Sequence, residues 1–133
     1  MNYSASCTCG KVSLSIDLPS PIDTYQTREC DCDFCVARGL AYFSDPDGTL
    51  SFAPEEALNP LEQGSGQATF WECDHCHQVV AVTNEQDGEV RGAASRQLFA
   101  QQYRLQASIT VSPKQLSPAE KVERWRTVWC KVV

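Results

Sequence analysis

Residues 7–18 read Cys7-Thr8-Cys9-Gly10-Lys11-Val12-Ser13-Leu14-Ser15-Ile16-Asp17-Leu18. Two cysteines one residue apart are followed at once by strict alternation, with Val12, Leu14, Ile16 and Leu18 apolar and the residues between them polar. That period of two is the pattern of a half-buried strand. A paired thiol at the mouth of a strand is the pattern of a metal-binding turn. Together they predict a β domain whose strands are tied by metal.

The rest of the chain repeats both signals. Seven of the eight cysteines fall into three clusters: Cys7-x-Cys9, Cys30-x-Cys32-x-x-Cys35 and Cys73-x-x-Cys76. Short strands are expected at 41–43, 49–52, 67–71 and 79–83, separated by turn signals such as Asp45-Pro46-Asp47-Gly48. Gln86-Asp87-Gly88-Glu89 reads as a hairpin turn into Val90. Frequent turns between short strands argue for a mostly β fold.

The C-terminal third differs. Residues 95–107 carry helix formers, but Tyr103 to Val111 alternates and is expected to be a strand. Ser117-Pro118-Ala119-Glu120 predicts a helix start, with Ser117 as cap, Pro118 in the first turn and Glu120 completing a capping box. Val122, Trp125 and Trp129 then share one face, which covers the core. Trp129 to Val133 reads either as the end of that helix or as a closing strand.

Length and charge bound the function. At 133 residues the chain is expected to form one domain. The N-terminus, Met1-Asn2-Tyr3-Ser4-Ala5-Ser6, has neither a basic nor an apolar leader segment, and no apolar run reaches the ~20 residues of a membrane span. A cytoplasmic location follows as the expectation, and in a reducing compartment clustered cysteines signify metal more often than disulfides. The formal charge is −6, and seven thiolates with two zinc ions would take it to about −9. No Lys/Arg run offsets this, which argues against nucleic acid and anionic membranes as partners.

Zinc takes four ligands in a structural site, and three plus an open position in a catalytic one. Cys7, Cys9, Cys73 and Cys76 match the first count, although 63 residues separate the pairs. Alone, Cys73-x-x-Cys76 also suits a redox pair, but no βαβ pattern surrounds it. His75 and His77 flank Cys76 and read as surface or supporting residues rather than ligands; His77 sits where such a turn often wants glycine for a positive φ. Cys30, Cys32 and Cys35 can hold one face of a tetrahedron, with no neighbouring fourth sulfur. An open position there holds water or a substrate thiolate, so the three are expected in a solvent-reachable pocket. The other readings are a labile structural site completed by Asp31, Asp33 or a histidine, or an iron–sulfur fragment. Cys130, in an apolar context, is expected to be a buried structural residue.

Three stretches carry a resemblance: Ser6-Cys7-Thr8-Cys9-Gly10-Lys11-Val12, Cys30-Asp31-Cys32-Asp33-Phe34-Cys35, and Thr69-Phe70-Trp71-Glu72-Cys73-Asp74-His75-Cys76. In this order they resemble the glutathione-dependent formaldehyde-activating enzyme family, also called the aldehyde-activating or centromere protein V-like family. The resemblance spans about residues 4–83, and residues 84–133 match loosely. It implies Mss4-like, zinc-pinned β-sheets. It also implies a structural zinc on Cys7, Cys9, Cys73 and Cys76, a catalytic zinc on Cys30, Cys32 and Cys35, and a carbon–sulfur lyase-type reaction between a small thiol and an aldehyde. The departures are Asp31 where the family often has histidine, Val36-Ala37 where basic residues are usual, and His77 in place of glycine. They imply weaker selection for the two carboxylates of glutathione. A zinc-stabilised binding or scaffold module without catalysis is the alternative.

Overall fold

The computed structural model describes residues 1–31, 33–62, 67–112 and 116–133, without the side chains of Cys30 and Asp33. Its centre is a hairpin. Strand β8 (Val79–Gln86) turns through Asp87 and Gly88, at φ 54° and 79°, into β9 (Glu89–Ser95), with Gln86 opposite Glu89. Positive φ at both turn residues matches the twist of the flanking strands, which is why Asp-Gly is favoured there.

Strand β9 is a branch point. Along one edge it pairs with β8, which continues antiparallel to β7 (Thr69–Cys73) and then β6 (Leu58–Glu62). On its other edge, Arg91 and Gly92 pair with β11 (Cys130–Val132), while Ala94 and Ser95 pair with β4 (Ala41–Phe43). From β11 the sheet runs through β5 (Thr49–Ala53) and β2 (Ser13–Asp17) to β1 (Asn2–Ser6). From β4 it runs through β3 (Arg28–Cys30) to β10 (Ile109–Val111). The fold is thus mostly β, with eleven strands among the described residues and a short C-terminal helix.

Residues that alternate along these strands separate into two cores, one on each face. Phe43, Val80, Ala81 and Ala94 join Val12, Leu14, Ile16, Leu50, Leu98 and Phe99 in the first. Their neighbours Tyr42, Val79, Val82 and Ala93 join Phe34, Cys35, Trp125 and Trp129 in the second. Because side chains of adjacent strand residues point to opposite faces, the two clusters lie on opposite sides of the sheet, and an irregularity in the β7–β8 register between Trp71 and Glu72 lets the adjacent Val80 and Ala81 share the first. Val79 to Asn84 are therefore all buried, as in a strand covered on both faces.

The second core is roofed by two helices, α1 (Asp33–Arg38) and α3 (Pro118–Val128). The capping box that starts α3 is complete: the Glu120 N–H donates to Ser117 Oγ at 3.2 Å, and the Ser117 N–H donates to Glu120 Oε1 at 2.8 Å. One turn apart, Trp125 and Trp129 stack with ring centroids 4.6 Å apart. Trp129 closes the helix in an extended conformation, so Cys130 to Val132 become the closing strand.

The strand expected over 103–111 is confined to Ile109–Val111. The segment before it forms α2 (Arg96–Ala100), because a single helical turn lets Leu98 and Phe99 both enter the first core. Tyr103 then packs edge-on against Tyr3, with centroids 5.2 Å apart. Its hydroxyl lies 3.4 Å from the Ser4 N and 3.3 Å from the Ser4 O. It thereby covers the outer edge of β1, which would otherwise be open to pairing. No described helix is long and apolar enough to cross a membrane.

Candidate metal centre

Two tight turns face each other at one end of the first core. The β1–β2 turn folds back on itself, with the Cys7 N–H bonded to Val12 O at 3.0 Å and the Gly10 N–H to Cys7 O at 2.9 Å. Gly10 takes φ 79°, and the Val12 N–H points at Cys7 Sγ from 3.4 Å. The β7–β8 turn repeats this plan: the Cys73 N–H bonds Gln78 O at 2.9 Å, and the His77 N–H bonds Cys73 O at 3.0 Å. His77 holds φ 61°, the left-handed conformation expected at this position, where a side chain costs about 1 kcal/mol.

The turns bring Cys7, Cys9, Cys73 and Cys76 together, with all four sulfurs within 4.8 Å of one another. Cys7 and Cys9 are 3.5 Å apart at sulfur, and Cys9 and Cys73 are 3.6 Å apart. Four sulfurs about 2.3 Å from one zinc would be about 3.8 Å apart, so spacing and donor set both suit a tetrahedral metal ion. Cys7 and Cys73 are buried, Cys76 half-buried and Cys9 exposed. The Lys11 backbone N–H lowers the Cys9 thiol pKa, but desolvation and hydrogen bonds with Cys7, Cys73 and Cys76 outweigh it and push it up to about 11. A cluster of thiols crowded without a cation holds its protons, and a cation would displace them.

Side chains outside the cluster brace the two turns across the gap. The Thr8 N–H and hydroxyl both donate to Gln78 Oε1, at 2.8 and 3.0 Å. Lys11 Nζ meets Asp74 Oδ1 at 2.9 Å, and the hydrogen bond and charge of Asp74 raise the Lys11 pKa. The cysteine spacing gave no sign of these pairs, whose partners lie more than sixty residues apart. His75 and His77 are exposed and stand outside the sulfur group; His77 Nδ1 lies 3.4 Å from Glu72 Oε1.

The second cysteine group starts at Cys30, the last residue of β3, and reaches Cys35 on α1. The expectations for Cys32 and for the Cys30 side chain lie outside the described residues. Cys35 is fully buried rather than solvent-reachable, because α1 turns it into the second core with Phe34, Leu40 and Tyr42. Asp31 continues the β3–β10 pairing through its N–H to Val111 O at 3.1 Å, and its Oδ2 accepts the Ser112 hydroxyl at 2.5 Å. Among the described residues its Oδ1 is buried without a hydrogen-bond partner. Arg38, the first base after the cluster, stacks 3.9 Å above the Phe34 ring and donates to Phe34 O.

Two further cations carry no spacing signal in the sequence, since Arg28 precedes the cluster on β3 and Arg124 follows it far along on α3. Arg28 lies on β3 opposite Tyr42 and donates to Ser44 Oγ at 2.7 Å. Burial lowers its pKa, the like charge of Arg124 on α3 lowers it further, and Cys130 opposes both. Cys130 itself is buried and has its thiol pKa raised by burial, the state of an inert core thiol.

No protein-family model matches the chain, and no curated protein matches it. Among solved structures it is similar to the crystal structure of a Rhodobacter sphaeroides protein from a structural-genomics programme. The identity is 23% and the TM-score 0.54, with 72% of this chain and 86% of that one covered. At that identity the likeness speaks for the fold.

Proposed function

We propose that the protein is a zinc-dependent, carbon–sulfur lyase-like enzyme that adds a small thiol to an aldehyde, as in the formaldehyde-activating family. In this reading Cys7, Cys9, Cys73 and Cys76 hold a structural zinc, and Cys30, Cys32 and Cys35 hold a catalytic one. The observation that supports it best is the meeting of two cysteine pairs, 63 residues apart in sequence, in the grouping that the resemblance implies. Without that meeting, the resemblance would rest on spacing alone.

Zinc at the three-cysteine site would keep the substrate thiol deprotonated at neutral pH and so ready to attack a carbonyl carbon. The chain's own residues supply the frame. β3 is held between β4 and β10, so the residue that opens the cluster sits at a fixed strand end. Cys35 is locked by α1 against Phe34 and Tyr42, which exclude water on that side. In the overall reaction a carbon–sulfur bond forms, the carbonyl π bond opens, and the thiol proton ends on the new hydroxyl oxygen. No electrons are exchanged with a redox partner.

The test uses zinc-loaded protein, ¹³C-formaldehyde and a panel of thiols, with the adduct carbon followed by NMR. The expected result is accelerated formation of the thiol adduct, lost in Cys35→Ser while the four-cysteine metal remains. Equal rates with and without protein would turn the reading to a zinc-stabilised scaffold.

A further inference from the structure

Cys9 differs from the other members of its cluster in reach. Cys7 and Cys73 are buried and Cys76 is half-buried, whereas Cys9 is exposed. Its sulfur also stands beside two others, 3.5 Å from Cys7 Sγ and 3.6 Å from Cys73 Sγ. Zinc keeps coordinating thiols deprotonated, and the thiolate is the form that oxidants attack. Where several thiolates share a metal, access decides which of them reacts first.

The surroundings of Cys9 decide its second step. A sulfenic acid formed beside a thiolate condenses with it to a disulfide. Two sulfurs are close enough to serve, and they are held differently. Cys7 belongs to the same turn as Cys9, closed by the Cys7 N–H on Val12 O and the Gly10 N–H on Cys7 O. Its sulfur also accepts the Val12 N–H at 3.4 Å. A bond from Cys7 to Cys9 would span one residue inside that turn and pull the sulfur off its donor. Cys73 belongs to the facing turn, 64 residues along the chain. The braces between the turns run through side chains, Gln78 on Thr8 and Lys11 on Asp74. The sulfurs of Cys9 and Cys73 have to close from 3.6 Å to about 2.05 Å. Two turns joined by side chains can slide that far together without opening the backbone bonds of either.

We propose that Cys9 is an oxidation site, and that a peroxide exchanges the metal clip for a disulfide between Cys9 and Cys73, releasing the zinc. This rests on the structural zinc of the function proposed above, and not on any chemistry at the other cysteine group. In the first step the Cys9 thiolate attacks one oxygen of hydrogen peroxide. An S–O bond forms, the O–O bond breaks, and the departing hydroxide takes a proton to become water. In the second step the Cys73 thiolate attacks the Cys9 sulfur. An S–S bond forms, the S–O bond breaks, and a second hydroxide leaves as water. The two thiolates give up two electrons, which the peroxide accepts. Cys7 and Cys76 remain, two ligands short of a closed zinc site. The disulfide ties the same two turns that the metal tied, so the sheets stay joined while zinc is lost.

The experiment treats the zinc-loaded full chain with hydrogen peroxide. Zinc release is read with a chromogenic chelator, sulfenic acid is trapped with dimedone, and disulfides are mapped by fragmentation mass spectrometry. We expect dimedone to label Cys9 ahead of Cys7, Cys73 and Cys76. The Cys9–Cys73 link should form with the same rate constant as the release of one equivalent of zinc, and a dithiol with added zinc should reverse both. Cys9→His keeps a zinc ligand at this exposed position and removes the thiol, so peroxide-driven release from the cluster should slow about ten-fold or more. A link from Cys7 to Cys9, a first label on a buried cysteine, or release from Cys9→His at the wild-type rate overturns the proposal and leaves the structural zinc standing. Should Cys9→His take up no zinc, the order of labelling and the mapped link in wild type decide. A wild-type cluster that takes up no zinc before treatment overturns both the proposal and the structural site.

Discussion

The four-cysteine group and Cys35 lie on opposite faces of one sheet and are built on different principles. Cys7, Cys9, Cys73 and Cys76 sit in two turns that repeat the same backbone plan and are tied by Thr8–Gln78 and Lys11–Asp74. Their geometry is local, and the sheet has only to bring the turns face to face. Cys35 sits in an apolar core made by distant parts of the chain: α1, β4 and the tryptophans of α3. There the surroundings, more than the turn, set the environment of the Cys35 thiol. A cluster held by its own loops needs little from the rest of the fold, whereas a buried thiol takes its surroundings from all of it.

The contrast can be broken most severely at the first group. Cys73→Ser removes a buried sulfur from the cluster, and structural zinc contributes on the order of 10 kcal/mol or more to the folding of small metal domains. We expect loss of one metal equivalent by elemental analysis and a collapse of the melting temperature; a variant that melts like wild type would deny the cluster its structural role. Trp129→Ala strikes the other face. It should cost about 3–5 kcal/mol by opening the second core, while the four-cysteine cluster keeps its metal in the folded fraction. Loss of that metal together with the tryptophan would show that the two faces are not independent.

Titration sharpens the comparison further. In metal-free protein the Cys9 thiol is raised from 9.0 to about 11, so the folded state favours the protonated form. Its contribution to stability is fully present below about pH 9 and is lost as pH rises through about 11. Metal-free protein should therefore weaken in denaturant midpoint across that window, whereas zinc-loaded protein should not. Loaded protein should instead release metal on acidification, because protons compete for the thiolates. The smallest effect is expected from Lys11→Ala. The ion pair is exposed and screened by solvent, so the melting temperature should hardly move while zinc release to a chelator quickens.

Much of the first group was legible in the sequence, and less of the second. The alternation from Val12 to Leu18, the Asp87-Gly88 turn, the capping box at Ser117 and the positive φ at His77 are all set by local chemistry, and the structure has them where local rules put them. Of the strand expected over 103–111 only Ile109–Val111 forms, with Tyr103 held instead against Tyr3 and the Ser4 backbone at the edge of β1. The cross-braces of the two turns join residues remote in sequence. No local spacing reveals a contact that only the tertiary fold creates.

Anomalous scattering at the zinc edge, recorded from zinc-loaded crystals, tests the central claim most directly. The account predicts one peak among the sulfurs of Cys7, Cys9, Cys73 and Cys76, and a second on the opposite face at Cys30, Cys32 and Cys35 with a fourth ligand that is not protein. An empty four-cysteine cluster, or a second metal sealed by four protein ligands, would contradict it.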